Sequence, residues 1–390
     1  MPHPGLFLDD RALGEVRDQL TAEIRRGYAA DGQRIRALPA YLPVPDRSLS
    51  GRAVVVDIGG TNVRAALLAL DGQGQAEFVA GPISRRLMIR ERPPETAAAF
   101  FDLQAELVAE LGQVAGLPVG YCFSYPSAVE ANRDARLIAW TKGIELPEVV
   151  GRFVGHDLGE ALTRRGLAPG RVTVLNDTVA SLIGGALGFS GAPERVIGLI
   201  VGTGTNMAVY VDPAEAPKLS ATGWRGPMAI NLESGAFHPP HLTELDVALD
   251  RASVHPGTQH FEKAVAGRYL PELFGLACPG HPAAKSDQGA GALVALRDQG
   301  EDGEPKEIAR ALLFRSADLV AAALAGAIAL EPGQDRIGIL AEGSTFWRDP
   351  LYPPRVQATL QRLLTVPRPV ELLRREDANL IGAATAALLP

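Results

Sequence analysis

Apolar residues recur at spacings of three and four at Leu13, Val16, Leu20, Ile24 and Tyr28, the period of a helix that buries one face. The period then changes. Residues 53–58 and 63–70 are near-continuous apolar runs separated by Gly59-Gly60-Thr61-Asn62, which predicts two buried strands joined by a tight turn. Helical spacing returns at Phe100, Leu103, Leu107 and Leu111, predicting a helix over about 94–114. A strand follows in LPVGYCFSYP, residues 117–126, and a second helix surrounds Leu158. The strand RVTVL, residues 171–175, runs into Asn176-Asp177-Thr178 and an Ala/Gly-rich helix. At Arg195 the pattern starts afresh: VIGLIVGTGTNMAVYV is again strand, glycine turn, strand. Helices near 258–274 and 307–330, a strand RIGIL before Ala341-Glu342-Gly343-Ser344, and a last Ala-rich helix complete the pattern. Residues 38–51 carry three prolines and a closing glycine and are expected to be a connector.

Strands alternating with helices predict α/β layers. The strand–glycine turn–strand unit occurs twice, too far apart for a solenoid, and fits two related halves facing each other. A length of 390 residues suits two domains. Hydrophobic residues at 46% and charged residues at 21% place the chain among globular proteins. The net charge of −7 argues against a nucleic-acid partner, whose binders are usually basic, and requires a local reversal of sign for any anionic substrate. Cys122 and Cys278 stand far apart and outside any CxxC, so neither a disulfide framework nor a zinc site is expected, and a reducing, cytoplasmic location is. The opening MPHPGLFLDDRALGEV has no basic start and apolar core of a signal peptide. The apolar run from Leu319 to Leu330 is short for a span and reads as a buried helix, so no membrane partner is expected.

Glycine admits positive φ and lets backbone N–H groups approach a ligand, and successive N–H groups in such a turn make an anion-binding concavity. Taken singly, Gly59-Gly60 and Gly202-Thr203-Gly204 are also good hairpin turns. Occurring twice, each before Thr-Asn, they suit a polyphosphate held between two halves. Other nucleotide motifs are absent: there is no Gly-Lys dipeptide for a Walker A loop, and no Gly-x-Gly carries the third glycine of a dinucleotide fingerprint. Asp57 ends an apolar run, where a buried carboxylate needs a partner; a magnesium ion reached through water would be one, and an Asx turn is the plainer alternative. Asp177 stands at the carboxyl end of a strand, where open α/β sheets place their sites. It could accept a proton from a substrate hydroxyl, although Asn-Asp-Thr fits a helix N-cap equally well.

Eight segments in order, DIGGTNVR, CFSYPS, WTKG, LNDTVASL, IVGTGTN, INLESGAF, HPGTQHFEKAVAGRYL and AEGS, resemble the hexokinase family of the eukaryotic type, from about residue 13 to the end. The resemblance implies the two-lobed, actin-like ATPase (ribonuclease H-like) α/β fold with its cleft between a small and a large domain. The small domain would be residues 52–189 plus 376–390, and the large one 1–51 plus 190–375. It implies an ATP-dependent kinase of the hexose 6-hydroxyl, with Mg²⁺ as cofactor and glucose the expected sugar. Ser124, Thr141, Lys142, Asn176, Asp177, Asn206, Glu233 and Glu262 would contact the hexose, with Asp177 as general base and Lys142 reaching the transferred phosphoryl group. Gly59, Gly60, Thr61 and Asn62, opposite Gly202, Thr203 and Gly204, would hold the ATP phosphates. Gly343 and Ser344 would line the adenosine end, and Asp57 would hold Mg²⁺ through water. The chain departs from the family pattern at Ser234, at Ala341-Glu342, at Asp377-Ala378-Asn379-Leu380 and over residues 276–306. Alternatives of the same fold are a kinase of another hexose or donor, and an idle sugar sensor.

Overall fold

A computed structural model of the chain describes residues 5–59, 62–87, 94–141, 144–189, 195–331 and 333–390. The strands are β1 (Leu38–Pro43), β2 (Ser50–Gly59), β3 (Asn62–Asp71), β4 (Ala76–Arg86), β5 (Val119–Phe123), β6 (Ser127–Val129), β7 (Ala135–Leu137), β8 (Val172–Leu175), β9 (Arg195–Val201), β10 (Thr205–Val211), β11 (Met228–Asn231), β12 (Ile337–Glu342) and β13 (Val370–Leu373). The helices are α1 (Asp10–Ala29), α2 (Ala97–Ala109), α3 (Val154–Arg164), α4 (Asp177–Gly188), α5 (Glu244–Ala252), α6 (His260–Val265), α7 (Leu270–Ala277), α8 (Ala290–Gln299), α9 (Glu304–Ile328), α10 (Ser344–Arg348), α11 (Tyr352–Leu363) and α12 (Ala378–Leu388).

Two sheets carry the fold. One has the order β4-β3-β2-β5-β8, the other β1-β11-β10-β9-β12-β13. In the first, β2 is antiparallel to β3 and parallel to β5. In the second, β9 is antiparallel to β10 and parallel to β12. The repeated hairpin of the sequence is therefore the start of the same five-strand arrangement in both halves. The sixth strand is β1, which lies inside the expected connector and pairs antiparallel with β11. Its prolines hid it from the sequence pattern, and they are tolerated because β1 is an edge strand.

Helices α4 and α12 pass between the sheets. Val179, Ile183, Leu380 and Ala384 pack there with Val55 and Leu68 of one sheet and Val196 of the other. The two helices cross so closely that a Cβ added at Gly382 would stand 1.8 Å from the Ala180 carbonyl oxygen. Only a residue without a side chain fits that crossing. Helix α1 is started by Asp9, whose carboxylate accepts from Ala12 N–H at 2.8 Å, and its stripe of Leu13, Val16, Leu20 and Ile24 joins the core of the six-stranded half. Helix α9 is long and apolar enough to cross a membrane by length and composition, yet 94% of its apolar window is buried inside the protein. The expected helix over 258–274 is two, α6 and α7, interrupted where Gly267 N–H donates to the Gly202 carbonyl at 2.8 Å. The break places backbone against a glycine turn.

Candidate active site

The first glycine turn lies between β2 and β3. Gly59 and the exposed Asn62 pair across it, whereas Gly60 and Thr61 lie outside the described residues, as does Lys142. The second turn, Gly202-Thr203-Gly204, joins β9 to β10 and is closed by Gly202 N–H to Gly204 O at 2.9 Å. Thr345 Oγ1 donates to the Gly202 carbonyl at 3.0 Å. The strand β12 brings Gly343 against this turn with φ of 109°, and a Cβ there would lie 2.2 Å from the Val201 carbonyl oxygen. Ser344 follows as the exposed first residue of α10.

Strand β8 delivers Asn176 and Asp177 to its carboxyl end. Asn176 is the N-cap of α4, its side-chain oxygen accepting from Thr178 N–H at 2.9 Å. Asp177 is the first helical residue, and its Oδ1 accepts from Thr178 N–H at 2.8 Å. Both neighbours thus accept from one N–H, and Asp177 does so through Oδ1 alone. A carboxylate in the first turn is also favoured by the helix dipole.

Opposite lies a network of amides. Asn206 Nδ2 donates to Asn231 Oδ1 at 2.8 Å, and Asn231 Nδ2 donates to Glu233 Oε1 at 2.7 Å. The Met207 and Ser234 N–H groups donate to Asn206 Oδ1 at 2.8 and 3.0 Å. Glu233, in the left-handed region at φ of 58°, is aimed by this network. Burial pushes its carboxyl above the usual carboxylate range, and the charge of Asp177 adds to the shift, so these acids share one locality. Glu262 on α6 accepts from Thr205 N–H at 3.2 Å, tying the second glycine turn to the same site. Ser124 follows β5, is buried, and its N–H donates to Ile58 O at 3.2 Å. Thr141 follows Trp140, whose ring packs edge-on against Phe100 and Tyr125 at 5.1 and 4.9 Å and whose Nε1 donates to Leu146 O at 2.6 Å.

Asp57 has a partner the sequence reading did not name. Residues 57 and 64 pair across the hairpin, and Arg64 donates to Asp57 Oδ2 through Nε at 2.9 Å and Nη2 at 2.7 Å. Asn379 Nδ2 donates to the same oxygen at 3.1 Å, and Arg64 Nη1 also donates to Asp377 at 2.9 Å. Arg64 and Asn379 compensate the buried carboxylate within the protein. A two-residue turn pairs positions whose numbers sum to a constant, so Asp57 opposite Arg64 was readable from the spacing. Asn231, Asp377 and Asn379 carried no comparable signal. Among the described residues no group of three His, Cys, Asp or Glu side chains is placed to hold a metal ion.

Glu342 at the end of β12 was noted in sequence only as a departure. Burial pushes its carboxyl up to about 7, with the charges of Asp177 and Asp57 acting in the same direction and Ser181 and Arg64 against it. A carboxyl raised on folding contributes no penalty while protonated in both states, and costs stability as pH climbs from its unfolded value of 4.5 to about 7. Glu342→Gln should therefore be more stable than wild type at pH 8, by on the order of 2–3 kcal/mol, and nearly equal at pH 4.5; urea titrations at the two pH values check this.

Two matching half-folds, two glycine turns and a cluster of amides and carboxylates beside them define an actin-like, two-lobed α/β protein. Residues 5–187 match one family model described as hexokinase, and residues 196–279 and 304–389 match a second of the same description. The chain belongs to the hexokinase family. It is 36% identical over 289 residues to hexokinase-2 of Solanum tuberosum, covering 68% of this chain and 55% of the relative. With hexokinase-1 of Saccharomyces cerevisiae the identity is 32% over 284 residues, covering 69% and 58%. The match spans little more than half the length of these curated relatives. A solved hexokinase from Schistosoma mansoni complexed with glucose is 25% identical with a TM-score of 0.80, covering 98% of this chain and 96% of that one. A ROK family glucokinase from Streptomyces griseus, in complex with glucose and AMPPNP, shares the fold at a TM-score of 0.56 and 21% identity, covering 86% and 98%. The unmatched residues 280–303 fall within the stretch that departs from the family pattern and hold α8.

Proposed function

We propose that the protein transfers the terminal phosphoryl group of ATP to the 6-hydroxyl of a hexose, glucose foremost, as in the first step of glycolysis, and that it does so in the cytoplasm. The observation that supports this reading is Asp177 at the first position of α4, bonded to Thr178 through Oδ1 alone and close to the Asn206–Asn231–Glu233 network. Sugar hydroxyls each need a donor or acceptor, and Ser124, Thr141, Asn176, Asn206, Glu233 and Glu262 offer both. A site built this way discriminates strongly against analogues lacking a hydroxyl. Asp177 would accept the 6-hydroxyl proton as the oxygen attacks phosphorus, and Lys142 would meet the transferred group. Gly59, Gly60, Thr61 and Asn62 on one lobe, with Gly202, Thr203 and Gly204 on the other, would hold the phosphates through backbone N–H groups. Gly343 and Ser344 would line the adenosine end.

Mg²⁺ bound to the nucleotide would supply charge stabilisation for the phosphoryl oxygens. The donor set fits an indirect hold on that ion, because Asp57 Oδ2 is committed to Arg64 and Asn379 and Mg²⁺ keeps much of its water. The bodies that would close over both substrates are residues 52–189 with 376–390, and residues 1–51 with 190–375; closure would keep water from competing as acceptor.

Coupled-assay kinetics over several hexoses and phosphoryl donors test the reading. Glucose with ATP should give the highest kcat/KM. Transfer from ADP or polyphosphate but not ATP would overturn the donor assignment, and ATP hydrolysis indifferent to added hexose would overturn the kinase itself. Gly343→Ala should raise KM for ATP by about tenfold with a smaller change in KM for glucose, since a side chain at that positive φ costs about 1–3 kcal/mol and pushes the turn from the nucleotide.

A further inference from the structure

Side chains alternate along β12, so Ile337, Ile339 and Ala341 enter the core of the large half and Glu342 points the other way, with Leu340, toward α4. Leu340 meets α4 at Gly185, and Ser181 lies beside Glu342. Asp177, Ser181 and Gly185 are four residues apart and share one helix face. Glu342 therefore lies against the α4 face that carries Asp177 and Ser181. Glu342 Oε1 and Ser181 Oγ are both buried, with Ser181 acting on the carboxyl as a hydrogen-bonding neighbour. The charged and titratable groups facing Glu342 are Asp177 of α4, Asp57 of β2, Arg64 of β3 and Cys122 of β5, whose thiol is raised chiefly by burial and also by Glu342. Arg64 is already bound to Asp57 and Asp377.

We infer that Glu342 is a positioning residue for phosphoryl transfer, its carboxylate placing negative charge close to Asp177 and strengthening that residue's pull on the substrate proton. The inference rests on the proposed reaction with Asp177 as base. Glu342 itself forms and breaks no bond. Its carboxyl, raised by burial to about 7, is neutral in mild acid and charged in mild base, so the enzyme gains an ionisation whose charged form favours turnover. Because hexose is uncharged, that ionisation reaches kcat/KM for hexose without a repulsion effect on sugar binding.

The test compares wild type, Glu342→Gln and Glu342→Asp. At saturating ATP and Mg²⁺, wild-type kcat/KM for glucose should climb on the order of three- to tenfold through the neutral range. The Gln variant should lack that limb, and the Asp variant should keep it at a displaced pH. In the protein without substrates, the infrared band of a protonated carboxyl should titrate near neutral pH in wild type and be missing in Glu342→Gln. Thermal midpoints confirm that each variant is folded. A neutral limb that survives Glu342→Gln in an active enzyme overturns this inference alone. Absence of hexose phosphorylation by the wild-type protein overturns the parent reading instead.

Discussion

Asp177→Ala should lower kcat on the order of 10²- to 10⁴-fold, the usual contribution of a positioned general base, while leaving the fold intact. The geometry at the start of α4 supports both halves of this expectation. Asn176 occupies the N-cap and keeps its own bond from Thr178 N–H when the Asp177 carboxylate, which shares that donor, is removed. Removing the Asp177 carboxylate forfeits its bonds from Thr178 N–H and Thr178 Oγ1 and a favourable dipole contact of about 0.3–1 kcal/mol. Turnover at saturating glucose and ATP, with glucose affinity followed by calorimetry, separates loss of chemistry from loss of binding. Near-normal kcat in the folded variant removes Asp177 from the role of base.

Arg64→Met should destabilise the protein by about 2–4 kcal/mol, toward the lower part of the range for a broken buried pair because Arg64 keeps some solvent access. The side chain of Asp57 is 8% exposed and that of Arg64 30% exposed. Losing the guanidinium leaves the buried Asp57 without its cationic partner, held only by neutral side chains such as Asn379. It also removes the hairpin's bond to Asp377 and one of its two bonds to Asn379 at the start of α12. Asp57→Asn in the Arg64→Met background should recover part of the loss, because a neutral side chain has less to lose by burial. Denaturant midpoints of the two single variants and the double variant measure this coupling. A single variant as stable as wild type would show that the pair contributes nothing to the fold.

Much of the architecture was legible because local patterns and global fold agree. The stripe in α1, the strands β2, β3, β9 and β12, and the Ala/Gly-rich α4 carry unmixed periods, so pattern alone located them. The repeat of strand, glycine turn and strand predicted the likeness of the two halves, which the shared strand order bears out. Elements whose sequence signal conflicts with their setting were misread. Strand β1 carries prolines that an edge position tolerates, and the α6–α7 break is imposed by Gly267 meeting a distant turn. At the site, motif residues with their own spacing were readable, including Asp57, Asp177 and both glycine turns. Asn231 and Glu342 were not, since their importance lies in what faces them.

Sequence by itself determined the class of fold, the paired glycine turns and the identity of the groups available for chemistry, because these depend on residue type and short-range spacing. Tertiary structure alone decided that Asn176 is the N-cap of α4, that Asn379, more than 300 residues away, helps to hold Asp57, and that Glu342 comes close to Asp177. The reason is physical: a carboxylate's charge state and partners are set by burial and by neighbours brought from distant segments, and neither quantity is written in the order of residues around it.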